Sequence, residues 1–222
     1  MFIKNLFHLV RHELKLEMKQ KHFLSSIVLY IVSTIFVCSL SFTSIEDTKI
    51  WNALFWIIIL FSLTNAISKS FLNENSDKRL FLYTLINPRV LILGKILYNL
   101  VLSVFLVLLS FFIFNFFIQS DGLKNINFSL FLLAVVLGSM SISSTLTMVS
   151  AIASKTNNNI GILSILAFPI LIPSLLLSIQ FSNLAINGGT AEMASQFIVF
   201  LSLINLLIII LSFLLFPYLW RE

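Results

Sequence analysis

Residues 196–219 read QFIVFLSLINLLIIILSFLLFPYL, a run of 24 residues without a charged side chain. A helix of about 20 apolar residues is long enough to cross a hydrocarbon core of roughly 30 Å. Five further runs of predominantly apolar residues occupy 23–43, 50–68, 90–119, 128–152 and 160–181. The sequence therefore predicts an all-α integral membrane protein with six transmembrane helices.

The composition of the whole chain agrees with this prediction. Of 222 residues, 59% are apolar and only 10% are charged, whereas about 25% are charged in a typical soluble domain. Too few residues lie outside the runs to build a soluble domain, so we expect residues 1–222 to form a single membrane domain.

The basic residues divide unequally between the two sides of the predicted spans. Twelve of the 14 lie on the side of the N-terminus, and Lys49 and Lys124 lie on the other. An excess of Lys and Arg marks the cytoplasmic side, so we expect both termini in the cytoplasm. The net charge of +5 then indicates topology and contact with anionic membrane lipid, not nucleic acid. The twelve are Lys4, Arg11, Lys15, Lys19, Lys21, Lys69, Lys78, Arg79, Arg89, Lys95, Lys155 and Arg221.

The N-terminal segment, residues 1–21, contains an amphipathic pattern over residues 2–19. Its apolar side chains recur at three- and four-residue spacing, and its basic side chains gather on the other side. This pattern favours a helix lying in the cytoplasmic headgroup layer over a helix that docks on a soluble partner. The apolar face comprises Ile3, Leu6, Phe7, Val10, Leu14 and Met18.

The cytoplasmic connection 69–89 reads KSFLNENSDKRLFLYTLINPR and is the longest between two spans. It predicts a short helix with Asp77 in the first turn, ended by the Asn87-Pro88 step. Its apolar side chains either dock on a partner or pack back on the bundle and the headgroups. The residues of interest are Glu74, Asp77, Leu80, Phe81, Tyr83, Leu85 and Pro88.

The chain lacks the residues that common catalytic and cofactor sites need. It has no phosphate-binding loop of the form GxxxxGK[ST], so ATP would have to be hydrolysed by another subunit. The single cysteine, Cys38, cannot form an internal disulfide, and one cysteine makes no metal site. The three histidines, His8, His12 and His22, all belong to the N-terminal region, so a haem on the outer side would need ligands from a partner. We expect no enzymatic activity and no cofactor bound by this chain alone.

Two spans contain unusual residues. In the fourth, hydroxyl residues at helical spacing form one face, which predicts close helix packing or a polar path for a substrate. In the fifth, Pro169 and Pro173 predict a kink or a locally unwound turn, in the service of packing or of gating. The hydroxyl face comprises Ser139, Ser143, Thr147, Ser150 and Ser154.

Together these features resemble the membrane subunits of type-2 ABC exporters, and within them the CcmB family of haem exporter permeases. The resemblance covers nearly the whole chain, and the segment with two prolines is its most specific part. Ser68 stands where the family often has an acid, which leaves Glu74 or Asp77 as substitutes. The matching stretches are Lys69-Ser-Phe71, Tyr83-Thr-Leu85 to Pro88, Gly94-Lys95 and Leu163-Ser-Ile-Leu-Ala-Phe-Pro169-Ile-Leu-Ile-Pro173.

The resemblance implies a homodimer in the bacterial inner membrane, bound to a CcmA-like ATPase and to CcmC- and CcmD-like membrane proteins. The resemblance also implies that the helix within 69–89 is the coupling helix that contacts the ATPase. ATP would bind to that partner, and haem would be the substrate. Two alternatives stay open at this point. In the first, the subunit has the same fold but exports a lipid, a glycan or a drug. In the second, it is a scaffold that joins the ATPase to a haem-handling protein without passing a substrate.

Overall fold

A computed structural model describes residues 6–7, 9–11, 13, 21–42, 45, 47–72, 87–118, 126–154 and 160–221 of the chain. Over these residues six helices are long and apolar enough to cross a membrane. The predicted fold class, an all-α membrane protein with six spans, is confirmed. The helices are α1 (Lys21–Ser41), α2 (Thr48–Leu72), α3 (Pro88–Phe117), α4 (Phe128–Ala153), α5 (Ile160–Ile186) and α6 (Ala191–Arg221).

Helix α4 lies at the centre of the bundle, where it contacts α2, α3, α5 and α6. Of its membrane-spanning residues 72% are buried, against 17% in α1 and 17% in α6. Large apolar side chains are exposed on the peripheral helices, including Leu29 of α1 and Ile165 of α5. Lipid tails are as apolar as these side chains, so a bilayer covers such a surface without cost.

Aromatic side chains fill the space between α2, α3 and α4. The ring of Trp51 lies with its centroid 5.1 Å from that of Phe114, and Phe55 stacks beside it at 5.8 Å. Phe131 of α4 closes the group, 6.0 Å from both Trp51 and Phe55. The indole N–H of Trp51 donates to the backbone carbonyl of Ile118 at 3.2 Å, so its polar atom is satisfied although the side chain is buried.

Local sequence accounts for the start of α3. The side chain of Asn87 accepts a hydrogen bond from the Arg89 backbone N–H at 3.1 Å, and Pro88 occupies the first helical position. Proline suits this position because its missing N–H has no partner there in any helix. The Asn87-Pro88 step therefore begins α3, two residues before the predicted span.

The connection between α5 and α6 is a tight turn. Helix α5 continues to Ile186 and α6 begins at Ala191, so most of the stretch 182–195 is helical. Gly188 has a φ of 74°, a conformation that glycine adopts without strain. The N–H of Gly189 donates to the Leu184 carbonyl at 2.9 Å, and that of Gly188 to the Ala185 carbonyl at 3.3 Å. These two bonds form a Schellman motif, which satisfies carbonyls at the end of α5.

The two prolines of the fifth span lie within a continuous helix. Pro169 and Pro173 are both internal to α5, which is helical from residue 160 to residue 186. Each proline removes one backbone hydrogen bond of the helix. Of the two predicted alternatives, a kink or a locally unwound turn, the unwound turn is not found, because the helix is continuous across both prolines. On both sides of the pair α5 packs in the bundle, because Leu163 before it and Ser182 after it are buried.

The described part of the N-terminal segment is helical and packs on α3. Leu9 is buried, whereas Phe7 is 71% exposed. A Cβ atom added to Gly94 would lie 2.5 Å from Leu9 Cδ2, so the glycine makes room for this contact. The sequence assigned the apolar face to Leu6, Phe7 and Val10 and did not identify Leu9 as the contact residue.

Candidate functional site

The predicted hydroxyl face of α4 is directed into the protein. Ser139, Ser143, Thr147 and Ser150 are fully buried, and Ser154, at the end of the helix, is partly buried. Because α4 is surrounded by four helices of its own chain, the described structure places this face in the core of the bundle. This placement favours close packing over a path for a substrate.

The hydroxyl face of α4 is hydrogen-bonded to α3 through Thr147. Thr147 Oγ1 accepts a bond from Asn99 Nδ2 at 2.9 Å and donates to the Ser143 carbonyl at 2.7 Å. The hydroxyl groups of Ser143 and Ser150 are buried and have no hydrogen-bond partner among the residues that the structure describes. An unsatisfied buried hydroxyl costs about 1–3 kcal/mol of desolvation, so these two groups do not stabilise the fold shown here.

Further hydroxyl groups lie on the side of α4 that contacts α6. Ser144 donates to Asn205 Oδ1 at 3.3 Å, and Asn205 Nδ2 donates to the carbonyl of Leu137 at 3.4 Å. Ser141 and Thr145 are fully buried as well. Sequence reasoning selected one face of α4 and missed these residues, although the run of serine and threonine from 139 to 150 was itself a signal that polar groups surround the helix.

A second buried polar network connects α2 to α5. Asn52 Nδ2 donates to the Ile179 carbonyl at 3.1 Å and to Asn183 Oδ1 at 2.9 Å. Asn52 Oδ1 accepts from Ser182 Oγ at 2.9 Å, and the indole N–H of Trp56 donates to the same hydroxyl at 2.9 Å. Sequence reasoning missed this network. Its signals were an asparagine near the start of an apolar span and serines repeating every four residues over 174–182.

Gly138 brings α4 close to both sides of this network. A Cβ atom at this position would lie 2.5 Å from Ser178 Oγ and would overlap the ring of Trp56. The absence of a side chain therefore allows α2, α4 and α5 to approach more closely than any other residue would permit.

The other predicted site residues do not join the buried face. Pro169 and Pro173 lie on the exposed side of α5, away from the α4 hydroxyl groups. Pro88 is the first residue of α3. The remaining coupling-segment residues, Glu74, Asp77, Leu80, Phe81, Tyr83 and Leu85, lie outside the described residues.

Ionisable and metal-binding side chains are scarce in the described ranges. No group of three or more His, Cys, Asp or Glu side chains in these ranges is placed to hold a metal ion. His8 and His12 lie outside the described residues, as does the side chain of His22. Lys95, one of the twelve basic residues on the predicted cytoplasmic side, is only 2% exposed within α3 and engages another group.

Comparison with known proteins assigns the family. The search of curated proteins found no match. The sequence pattern of the family described as CcmB protein matches residues 4–217, which is nearly the whole chain. The six apolar spans agree with the membrane location of this family. The chain therefore belongs to the CcmB protein family and is a membrane permease component of the haem export system of cytochrome c biogenesis.

Proposed function

We propose that the chain is the permease subunit of an ABC transporter complex that handles haem during c-type cytochrome biogenesis. In this proposal it works as a homodimer, driven by a CcmA-like ATPase, alongside CcmC- and CcmD-like membrane proteins. Haem is the substrate, ATP binds to the partner, and the chain itself binds no cofactor. The observation that carries the proposal is the family match over residues 4–217.

The charge distribution supports an orientation with both termini in the cytoplasm of a bacterial cell, across its inner membrane. In this orientation the segment 69–89 faces the ATPase. Helix α2 ends at Leu72 and α3 begins at Pro88, so a displacement of the segment would act on two helices that both contact α4.

A scaffold is the second candidate function. The α4 hydroxyl face is buried inside one chain, and this observation favours a subunit that holds the ATPase to a haem-handling partner without forming a path. Ser150→Ala and Ser143→Ala remove hydroxyl groups without adding bulk. If the face forms a path, these variants impair haem delivery in complexes that still assemble. If the subunit is a scaffold, haem delivery is unchanged in these variants.

Purification of the chain in mild detergent, with mass spectrometry of its partners, tests the leading proposal. Recovery of an ABC ATPase together with a haem-handling membrane protein supports it. Recovery of an ATPase with unrelated partners points to an exporter of another substrate, such as a lipid, a glycan or a drug, and the haem assignment is then withdrawn.

The coupling segment is tested in the same experiment. We expect replacement of Leu80, Phe81 and Leu85 by Asp to abolish ATPase recovery, because charged groups cannot fill an apolar groove on a partner. The matched control replaces Asn73, Asn75 and Ser76 by Asp, which adds the same charge and removes no apolar side chain. Full ATPase recovery with the first variant, or equal loss with both, contradicts the assignment of this segment.

A further inference from the structure

A groove opens on the outside of the bundle where α3, α4 and α6 meet. Its volume of about 190 Å³ includes space that is open to the surroundings. Its apolar lining residues are Ile92, Met148, Ala151, Ile152, Leu215 and Phe216. The groove also contains Ser212, but that hydroxyl donates to a carbonyl of its own helix at 2.7 Å. Its surface is therefore apolar.

A guanidinium group lies beside this groove. Arg89 is one turn before Ile92 in α3, and its guanidinium carbon lies 5.2 Å from the ring centroid of Phe213, the neighbour of Ser212. The ring contacts one face of the guanidinium, which leaves its N–H edges available to an anion. In the described part of the chain no carboxylate pairs with Arg89, and the side chain is exposed.

The groove is shallow. Its 190 Å³ includes space that is open to the surroundings, so an occupant lies along its surface and is not enclosed. An acyl chain is apolar like this surface, and the exposed guanidinium at the start of the span favours an occupant that also carries an anion.

We propose that this groove binds one anionic phospholipid, with the phosphate on Arg89 and part of an acyl chain on Ile92, Met148 and Leu215. Arg89 stands at the start of a membrane span, which is the depth of lipid headgroups. Arginine pairs well with phosphate because its planar fork donates two parallel hydrogen bonds. An anionic headgroup is favoured over a zwitterionic one, because the latter places a second cation beside the guanidinium. The proposal does not depend on the transport function.

The test uses the full chain reconstituted in nanodiscs that contain equal amounts of phosphatidylglycerol and phosphatidylcholine. After transfer to mild detergent, native mass spectrometry counts the phospholipids that remain bound. We expect the wild type to retain phosphatidylglycerol in preference, and Arg89→Gln to reduce that preference about fivefold, which corresponds to about 1 kcal/mol for one basic residue at the membrane surface. Lys49→Gln removes an exposed cation from the start of α2 and is expected to change nothing.

A second pair of variants tests the groove itself. Leu215→Trp places an indole in the groove, whereas Leu214→Trp changes the adjacent residue, which is similarly exposed and does not line it. We expect only Leu215→Trp to lower retention. The proposal is wrong if Arg89→Gln keeps the wild-type preference, or if Lys49→Gln loses as much. It is also wrong if the wild type retains neither lipid, as expected when a second copy or a partner helix covers the groove.

Discussion

Replacement of Asn52 by leucine is the sharpest test of the buried network between α2 and α5. The amide of Asn52 makes three hydrogen bonds to α5, to Ile179, Ser182 and Asn183, with lengths of 2.9–3.1 Å. Hydrogen bonds between helices in membranes contribute about 0.6 kcal/mol each, so the loss of three amounts to about 2 kcal/mol. Leucine has a similar volume, which keeps a cavity from adding to this loss.

The groups that Asn52 bonds in the wild type add little to the loss of stability when they are left behind in the variant. Ser182 Oγ has alternative acceptors in the carbonyls of Ser178 and Ile179, at 2.9 and 3.0 Å. Trp56 keeps its bond to the same hydroxyl. The carbonyl of Ile179 loses the bond from Asn52 but keeps the one from Ser182 Oγ. The side-chain oxygen of Asn183 loses the donor described here, and that residue is partly exposed. A loss of about 2 kcal/mol corresponds to about a thirtyfold increase in the unfolding equilibrium constant.

Unfolding by sodium dodecyl sulfate in mixed micelles, followed by circular dichroism, measures this change. Asn115→Leu is the matched control, because Asn115 is exposed on α3 and the same substitution there removes no buried bond. A double variant with Asn183→Leu adds a second test, since two residues that share a bond lose less together than the sum of their separate losses. If Asn52→Leu destabilises the protein no more than Asn115→Leu does, the network does not hold α2 to α5.

Three further predictions concern α4. We expect Gly138→Ala to lower the stability by about 1–3 kcal/mol in the same unfolding assay, because the added methyl group overlaps Trp56 and Ser178. Gly161→Ala, at an exposed position of α5, is the control. Equal stability of the two variants contradicts the close approach of α2, α4 and α5 at Gly138. We expect Ser150→Ala to leave stability unchanged or raise it by about 1 kcal/mol, since its hydroxyl has no hydrogen-bond partner in the described part of the chain. Thr147→Val keeps the shape of the side chain but removes the bond to Asn99, so it should lower stability by about 1 kcal/mol. If Ser150→Ala is less stable than Thr147→Val, the hydrogen-bond partners assigned here are wrong.

The number and type of helices follow from the sequence because lipid imposes a length and a composition on each span. The ends of α5 and α6 do not follow from it. Ser182, Asn183 and the two glycines resemble a loop in the sequence, yet Ser182 and Asn183 are helical and pair with Asn52, more than a hundred residues away. Sequence spacing identifies polar residues on a helix face but not the partner that satisfies them.

The contact between Leu9 and Gly94 shows a similar limit for the N-terminal segment. The apolar spacing of that segment predicts a helix, and the described residues 6–13 are helical where they are placed. The residue that touches the bundle is determined by the shape of α3, where a glycine leaves a space for one leucine. A periodic pattern contains no information about such a space, so Phe7 and Leu9 could not be distinguished beforehand.

The packing of α4 also bears on where a substrate would pass. A route along Ser143 and Ser150 requires α4 to separate from α2, α3, α5 or α6, which would break the bonds of Asn99 and Asn205 and expose the aromatic side chains around Trp51. Loss of those buried contacts costs several kcal/mol. The exposed faces of α1, α5 and α6 need no such rearrangement, because they lie on the outside of the bundle. If the chain transports haem, the energetically accessible route therefore lies along the boundary of the subunit, and Pro169 and Pro173, both exposed on α5, are on that boundary.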